Sequence, residues 1–331
     1  MKAFIIKQYG APHESLSLVD LPLPTPKENE VTVRVHAVSL NALDWHLTRG
    51  DPYIVRFLTG FTRPKRDNWV AGSGFAGTVE SIGASVTTFK VGDEVIADPG
   101  VDLGGLAEVA VVSHKDLCLK PANVSFAEAA AVGVSATTAF QALHDVAKVQ
   151  AGQKVLVNGA SGGVGTAAIQ IAKAAGAQVT AVCSARNIDL VKSLGADYAI
   201  DYAQENFTQL GNVYDIIIDN VGTQSETDCC KVLSPEGVIV QVGSLSPKGT
   251  LTNGLLSGAV AGLFTQKQKG QRIEGIMAKA GGKCLEQIKP LLEQGALKPP
   301  IFKTFTFEQA PDALALQEEG HVAGKIVITV L

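Results

Sequence analysis

From residue 155 to 172 the chain reads Val155-Leu-Val-Asn-Gly159-Ala-Ser161-Gly162-Gly163-Val164-Gly165-Thr166-Ala-Ala-Ile-Gln-Ile-Ala. A short apolar run ends in a glycine-rich turn, and an amphipathic stretch follows. Glycine permits a tight turn and lets a bound group come close to the backbone. A helix that starts at such a turn offers unpaired N–H groups and partial positive charge. The spacing is G-x-x-G-x-x-G, one residue off the usual dinucleotide fingerprint. Any tight turn uses glycine, but a strand before and a helix after give this one the context a diphosphate needs. Ser161, Gly162, Gly163 and Val164 are therefore the turn residues expected against the cofactor.

The surroundings of the turn set the fold class. Lys154–Asn158, Gln178–Cys183, Tyr198–Ile200, Asp215–Asp219 and Val238–Val242 are short apolar runs. They alternate with helix-like stretches, Thr166–Ala175 and Asn187–Leu194 among them, which predicts an α/β doubly wound parallel sheet. Continuous runs such as Ile216-Ile-Ile suit strands buried on both faces. Residues 1–122 have another texture: Val31-Thr-Val-Arg-Val-His-Ala-Val alternates with period 2, and short β-rich runs recur at Gly77–Ile82, Glu94–Ala97 and Ala107–Val112. The tail from about 298 to 331 returns to strand texture at Phe302–Phe307 and Lys325–Val330. We expect it to rejoin the first domain, so that the nucleotide domain, 123–297, is an insertion.

The second strand of the nucleotide domain speaks to the cofactor. Enzymes that use NAD usually place an acid there, on the ribose 2′-hydroxyl. This chain has Val182-Cys-Ser184-Ala-Arg186 instead. Ser184 can donate a hydrogen bond, and the fork of Arg186 matches a phosphate dianion. NADPH is the expected cofactor. The competing reading is a solvated Arg186 paired with Asp189.

Composition excludes other classes. A net charge of −4 gives no electrostatic footprint for nucleic acid, and Arg63, Lys65 and Arg66 read as a solvated loop. The five cysteines include no C-x-x-C pair, so neither a disulfide framework nor a zinc knuckle is indicated. The first residues are too short an apolar run for a signal peptide. Leu251–Phe264, broken by three glycines, is shorter than the roughly 20 residues a membrane helix needs. No integral membrane segment is expected, and a cytoplasmic location is the default. That apolar stretch reads either as an interface, which would make a homodimer, or as a pocket lid.

The glycine-Asp93 strand unit, Ala-Ser-Gly-Gly-Val-Gly, Leu-Gly-Ala-Asp197-Tyr-Ala-Ile-Asp-Tyr202 and the closing Gly324-Lys-Ile-Val together resemble the quinone oxidoreductase branch of the medium-chain dehydrogenase/reductase superfamily. The branch includes zeta-crystallin and chloroplast-envelope quinone oxidoreductase homologues. The resemblance runs nearly end to end. It implies a GroES-like β-rich catalytic domain, a Rossmann domain and a cofactor cleft between them. Zinc-dependent members present a Cys in the early catalytic loop and a Gly-His-Glu segment further on. Here Asn41 and Ser73 stand at those Cys and His positions, and the four-cysteine structural lobe is missing. Metal is therefore expected to be absent.

By the same resemblance, Asn41 lies near the nicotinamide and hydrogen-bonds a substrate oxygen, while Asp44 organises its loop. Tyr202 lies beside the adenosine ribose or its phosphate. Asn220, Val221 and Gly222, then Val242, Gly243 and Ser244, line the nicotinamide side, and Thr138 sits on a helix facing the cofactor. Many relatives carry a tyrosine where this chain has His46. That histidine is read as a wall residue without a proton role, and Tyr53 is an equally weak candidate. The activity implied is zinc-independent, NADPH-dependent hydride transfer to a quinone or an α,β-unsaturated carbonyl such as an enone or alkenal. The alternative is an NADPH-binding sensor or structural protein with little turnover. A short-chain reductase is disfavoured, because no tyrosine has a lysine four places on.

Overall fold

The computed structural model describes residues 1–242 and 270–330, and the chain forms two compact units. The first unit takes residues Met1–Thr137, Lys279–Gln294 and Pro299–Leu331. Strands β1 (Lys2–Ile6) and β2 (Leu16–Asp20) pair as an antiparallel ribbon. Next along the chain come β3 (Glu30–Leu40), β4 (Gly74–Ile82), β5 (Glu94–Ala97), β6 (Val109–Ser113) and β7 (Leu117–Leu119).

The second unit, Thr138–Ala278 with Gly295–Lys298, contributes β8 (Lys154–Asn158), β9 (Gln178–Cys183), β10 (Tyr198–Asp201), β11 (Tyr214–Asp219), β12 (Leu233–Val242) and β13 (Arg272–Ile276). The tail supplies β14 (Ile301–Thr306) and β15 (Lys325–Thr329).

In the second unit the sheet order is β10-β9-β8-β11-β12-β13, and every pairing is parallel. This is the Rossmann order, in which the chain first winds one way from β8 and then returns to the other side of it. The switch point falls between β8 and β11, where Asn158 stands in register with Asp219. Val155, Leu156, Val157, Ile217 and Ile218 have no solvent exposure. That burial on both faces is why these strands read as unbroken apolar runs.

The first unit carries a seven-stranded sheet, β14-β15-β3-β4-β5-β7 with β6 beside β3. Its pairings are antiparallel except for β14 with β15. β15 pairs with β3, Ile326 facing Leu40, so the end of the chain completes a sheet begun near its start. Both edges of the 123–297 segment differ from the compact unit. The alanine-rich helix Phe126–Val132 belongs to the first unit and buries Ala129–Val132. The helix Gly282–Glu293 belongs there too. Composition changes where helices begin, but the unit boundary follows the surface each helix covers. The nucleotide-unit helix also starts three residues before Thr166, at Gly163, because Gly162 takes the extended N-cap conformation. Gly243, Ser244 and the stretch Leu251–Phe264 lie outside the described residues. Among the described residues no helix is long and apolar enough to cross a membrane.

Replacing Ile217 by Ala at the centre of the parallel sheet is expected to lower unfolding free energy by about 3 kcal/mol in a denaturant titration. A loss under about 1 kcal/mol would contradict burial on both faces.

Candidate functional site

The chemistry-bearing residues form two constellations, one in each unit. In the second unit the turn after β8 is closed on one side and open on the other. Gly159 has φ +74°, a conformation that favours glycine. A Cβ at Gly165 would lie 2.3 Å from the Gly159 carbonyl, so only glycine lets the helix start this close to the strand. A Cβ at Gly162, by contrast, would meet only that carbonyl, at 3.7 Å. No side chain caps the helix Gly163–Ala174 at Gly162. Its first N–H groups are therefore not taken by a capping side chain, and a helix start of that kind suits an anion such as a diphosphate. Ser161, Gly162, Gly163 and Val164 are all partly exposed along this edge.

The adjoining strand ends are tied to one another. Asn158 Nδ2 donates to Asp219 Oδ1 at 2.9 Å and to Thr223 Oγ1 at 3.2 Å. The same Asp219 oxygen accepts the amides of Val221 and Gly222, at 3.2 and 2.9 Å. Asn220 Nδ2 donates back to the Asn158 carbonyl at 2.9 Å. The loop holding Asn220, Val221 and Gly222 is thus built on two buried polar residues, Asn158 and Asp219, that sequence reading passes over. Val242 closes β12 and is buried. Thr138 is also buried, within the helix Ser135–Phe140.

At the end of β9 stand Ser184, partly exposed, and Arg186, exposed. Asn187 beside them is buried and donates from Nδ2 to Ser161 Oγ and Ser184 Oγ. Tyr202 is exposed, and its backbone N–H bonds the Cys183 carbonyl at 3.1 Å.

The first unit gathers a buried polar cluster around Asn41. β3 ends at Leu40, and Asn41 N-caps the helix Ala42–Arg49. The Asp44 Oδ2 accepts the Asn41 backbone N–H at 2.7 Å and the Ser73 hydroxyl at 2.8 Å. The Asn41 side chain turns the other way. Its Nδ2 donates to the Ser39 carbonyl and to Ser73 Oγ, both at 3.1 Å. Its Oδ1 accepts from Ser135 Oγ at 3.0 Å and from Lys325 Nζ at 2.5 Å. Lys325 spends its other hydrogens on the Leu40 carbonyl at 2.8 Å and Ser135 Oγ at 2.9 Å. A cation at the amide oxygen and a carboxylate on the amide-nitrogen side align with the amide dipole, so the orientation of Asn41 is fixed.

Ser135 is delivered to this cluster by a strained loop. Val134 has φ +58°, costly for a β-branched residue. Asp98 holds it there, accepting the Val134 amide at 3.2 Å and the Thr137 hydroxyl at 2.9 Å.

Burial governs protonation in this cluster. It pushes the Asp44 carboxyl up to about 6, against the lowering effect of the Ser73 and Asn41 hydrogen bonds. It pushes Lys325 down to about 7, against the pull of Asp44 and Asp98. Among the described residues, none hydrogen-bonds the enclosed Asp44 Oδ1. His46 is buried, donates from Nδ1 to the Asp51 carbonyl at 2.6 Å, and is held below its usual range by burial. Tyr53 is 60% exposed.

The structure thus places Asn41 among Asp44, Ser73, Ser135 and Lys325. Sequence reading named the first two and passed over Ser135 and Lys325. The one available signal for Lys325 was its place in Gly324-Lys-Ile-Val, where a lysine opens an otherwise apolar strand.

A glycine turn at the switch point of a doubly wound sheet, joined in one chain to a β-rich unit, defines a two-domain oxidoreductase of the dinucleotide-binding kind. Residues 27–122 match the alcohol dehydrogenase GroES-like domain, and residues 194–328 match the zinc-binding dehydrogenase family. NAD(P)H oxidoreductase RTN4IP1, mitochondrial, of Bos taurus is 35% identical over all of this chain and 89% of its own length. The 2-methylene-furan-3-one reductase of Solanum lycopersicum is 33% identical over 99% of this chain and 79% of its own. The quinone oxidoreductase from Coxiella burnetii superposes with a TM-score of 0.86 at 32% identity, covering 100% of this chain and 99% of that one. The chain belongs to the quinone oxidoreductase branch of the medium-chain dehydrogenase/reductase superfamily.

The two shifted groups pull stability in opposite senses. Between about 7 and its ordinary 10.5, Lys325 is protonated more in the unfolded chain, so its contribution rises with pH. Between 3.8 and about 6, Asp44 is protonated more in the folded chain, so its contribution falls as pH rises. The stability of wild type relative to Lys325→Met should therefore climb above neutrality, by up to about 1.4 kcal/mol per pH unit in denaturant titrations. A difference flat from neutral to alkaline pH would contradict a buried, depressed lysine.

Proposed function

We propose that the chain is an NADPH-dependent reductase that delivers hydride to a quinone or an α,β-unsaturated carbonyl and works without zinc. The observation that carries this reading is the end of β9. The residues there are Ser184, Arg186 and the polar Asn187, with no acid on the last turn of the strand, next to an uncapped helix start. A hydroxyl and a guanidinium suit a 2′-phosphate, whereas a 2′-hydroxyl calls for a carboxylate. When bound, the reduced nicotinamide supplies the hydride.

The protein's part is placement. The Gly162–Val164 amides receive the diphosphate, Ser184 and Arg186 the 2′-phosphate, and Tyr202 the adenosine ribose, with Ser161 tied through Asn187 to the 2′-phosphate side. Asn220, Val221, Val242 and Thr138 are assigned to the nicotinamide side. We assign Asn41 to the substrate oxygen. Both of its amide hydrogens are bonded within the protein, so an acceptor oxygen would take the place of Ser73 Oγ. The Lys325 ammonium behind the amide oxygen polarises the donor that meets the charge developing on that acceptor.

The zinc-free reading rests on the same cluster. Asn41 and Ser73 bond to each other and to Asp44, Ser135 and Lys325. Among the described residues no three or more His, Cys, Asp or Glu side chains group as metal ligands. A conjugated acceptor spreads incoming charge over its π-system and needs less polarisation than a simple ketone. The quinone oxidoreductase and furanone reductase relatives are named for acceptors of that sort.

A panel of quinones, enones and alkenals, followed by loss of NADPH absorbance, tests this. Consumption with at least one acceptor is expected. Arg186→Glu should raise the NADPH Kd about tenfold and leave NADH nearly unchanged, since one charge-assisted bond is lost. Tight NADPH binding with no consumption on any acceptor would make the chain a nicotinamide sensor instead. Equal loss for both cofactors would contradict the assignment of Arg186.

A further inference from the structure

Asn187 is 9% exposed and sits in the helical turn Ala185–Asn187 that follows β9. Its Nδ2 carries two hydrogens. One goes to Ser161 Oγ in the glycine turn at 3.0 Å, and the other to Ser184 Oγ at the end of β9 at 3.2 Å. The backbone N–H of Asn187 also bonds the Ser184 carbonyl at 2.9 Å, which holds the amide in place.

The donor count has a direct chemical result. A hydroxyl whose oxygen accepts a hydrogen bond still has its own hydrogen to give. Among the described residues no protein group accepts the hydrogen of Ser161 or of Ser184. One buried amide thus makes two hydroxyls, from two different loops, into outward donors around a single point. A phosphate monoester dianion offers only acceptor oxygens, so it satisfies both. A sugar hydroxyl has a hydrogen of its own to place and only one oxygen to offer.

We propose that Asn187 is a positioning residue for cofactor specificity: by donating to Ser161 and Ser184 at once, it turns both hydroxyls into donors for the 2′-phosphate of the adenosine ribose. The inference rests on the NADPH reading and deepens it. It also fixes a rule for substitution. Aspartate at 187 has the same shape but accepts, so both serine hydrogens turn inward to it and a negative charge is added beside the dianion. Alanine removes the organiser without reversing it.

Titration calorimetry of the intact chain with adenosine 2′,5′-bisphosphate and with ADP reads this without catalysis. Wild type should bind the 2′-phosphorylated probe more tightly. Asn187→Asp should lower the affinity ratio of the two probes by about tenfold or more, and Asn187→Ala by a smaller factor, because charge-assisted bonds are reversed in the first and only loosened in the second. ADP affinity should change by less than about twofold in both, well under the tenfold that 1.4 kcal/mol represents. Should Asn187→Asp fail to fold, Ser161→Ala and Ser184→Ala carry the same test: each should lower the ratio, and combining either with Asn187→Ala should add little. A wild-type preference that survives in Asn187→Asp, or in the serine variants, overturns the role of Asn187 and leaves the NADPH reading intact. A wild type that does not distinguish the probes overturns both.

Discussion

Everything in the nucleotide unit depends on how closely one helix starts to the strand before it. The 2.3 Å between a Cβ built at Gly165 and the carbonyl of Gly159 leaves no room for any side chain. That contact sets how close to the strand the helix Gly163–Ala174 can begin. The same closeness puts Ser161 within reach of Asn187, and so couples the turn to the end of β9. The strand order then decides what lies beside it: β11 neighbours β8, and Asn158 bonded to Asp219 builds the loop of Asn220 and Val221 at the switch point. A crevice at the carboxyl ends of the strands is where such sheets take ligands.

In the first unit the organising problem is electrostatic. A lysine, an aspartate and an asparagine are buried together, and burial of a charge is costly unless hydrogen bonds compensate it. Lys325 is compensated fully, by two oxygens of side chains and one carbonyl. Asp44 is compensated at Oδ2, by the Asn41 backbone N–H and the Ser73 hydroxyl. The result is an amide locked between Lys325 and Asp44. The strained Val134 loop belongs to the same arrangement, since it brings Ser135 to Lys325 while Asp98 holds its backbone.

The fold was legible in the sequence wherever one periodicity ran uninterrupted. The apolar runs of β8, β9 and β11 and the alternation of β3 are local signals, and they appear at the expected residues with ends shifted by a few positions. The partition was less legible, because the helices Phe126–Val132 and Gly282–Glu293 are assigned by the surface they cover, which composition does not encode. Of the candidate residues, the sequence placed the glycine turn between a strand and a helix, and Ser184 with Arg186 just past the next strand, because type and spacing are local signals. Asn158, Asp219, Asn187, Ser135 and Lys325 could not be placed that way. Each acts through a partner 26 to 284 residues away, and a polar residue inside an apolar strand or turn looks ordinary until that partner is placed.

The binding of a diphosphate by the turn is tested most directly by backbone hydrogen exchange of the intact chain, with and without NADPH. The expected result is strong slowing at the amides of Gly162, Gly163 and Val164, with the centre of β8 unchanged. Exchange at those amides that stays the same at saturating NADPH would contradict the assignment of the turn as the cofactor's anchor.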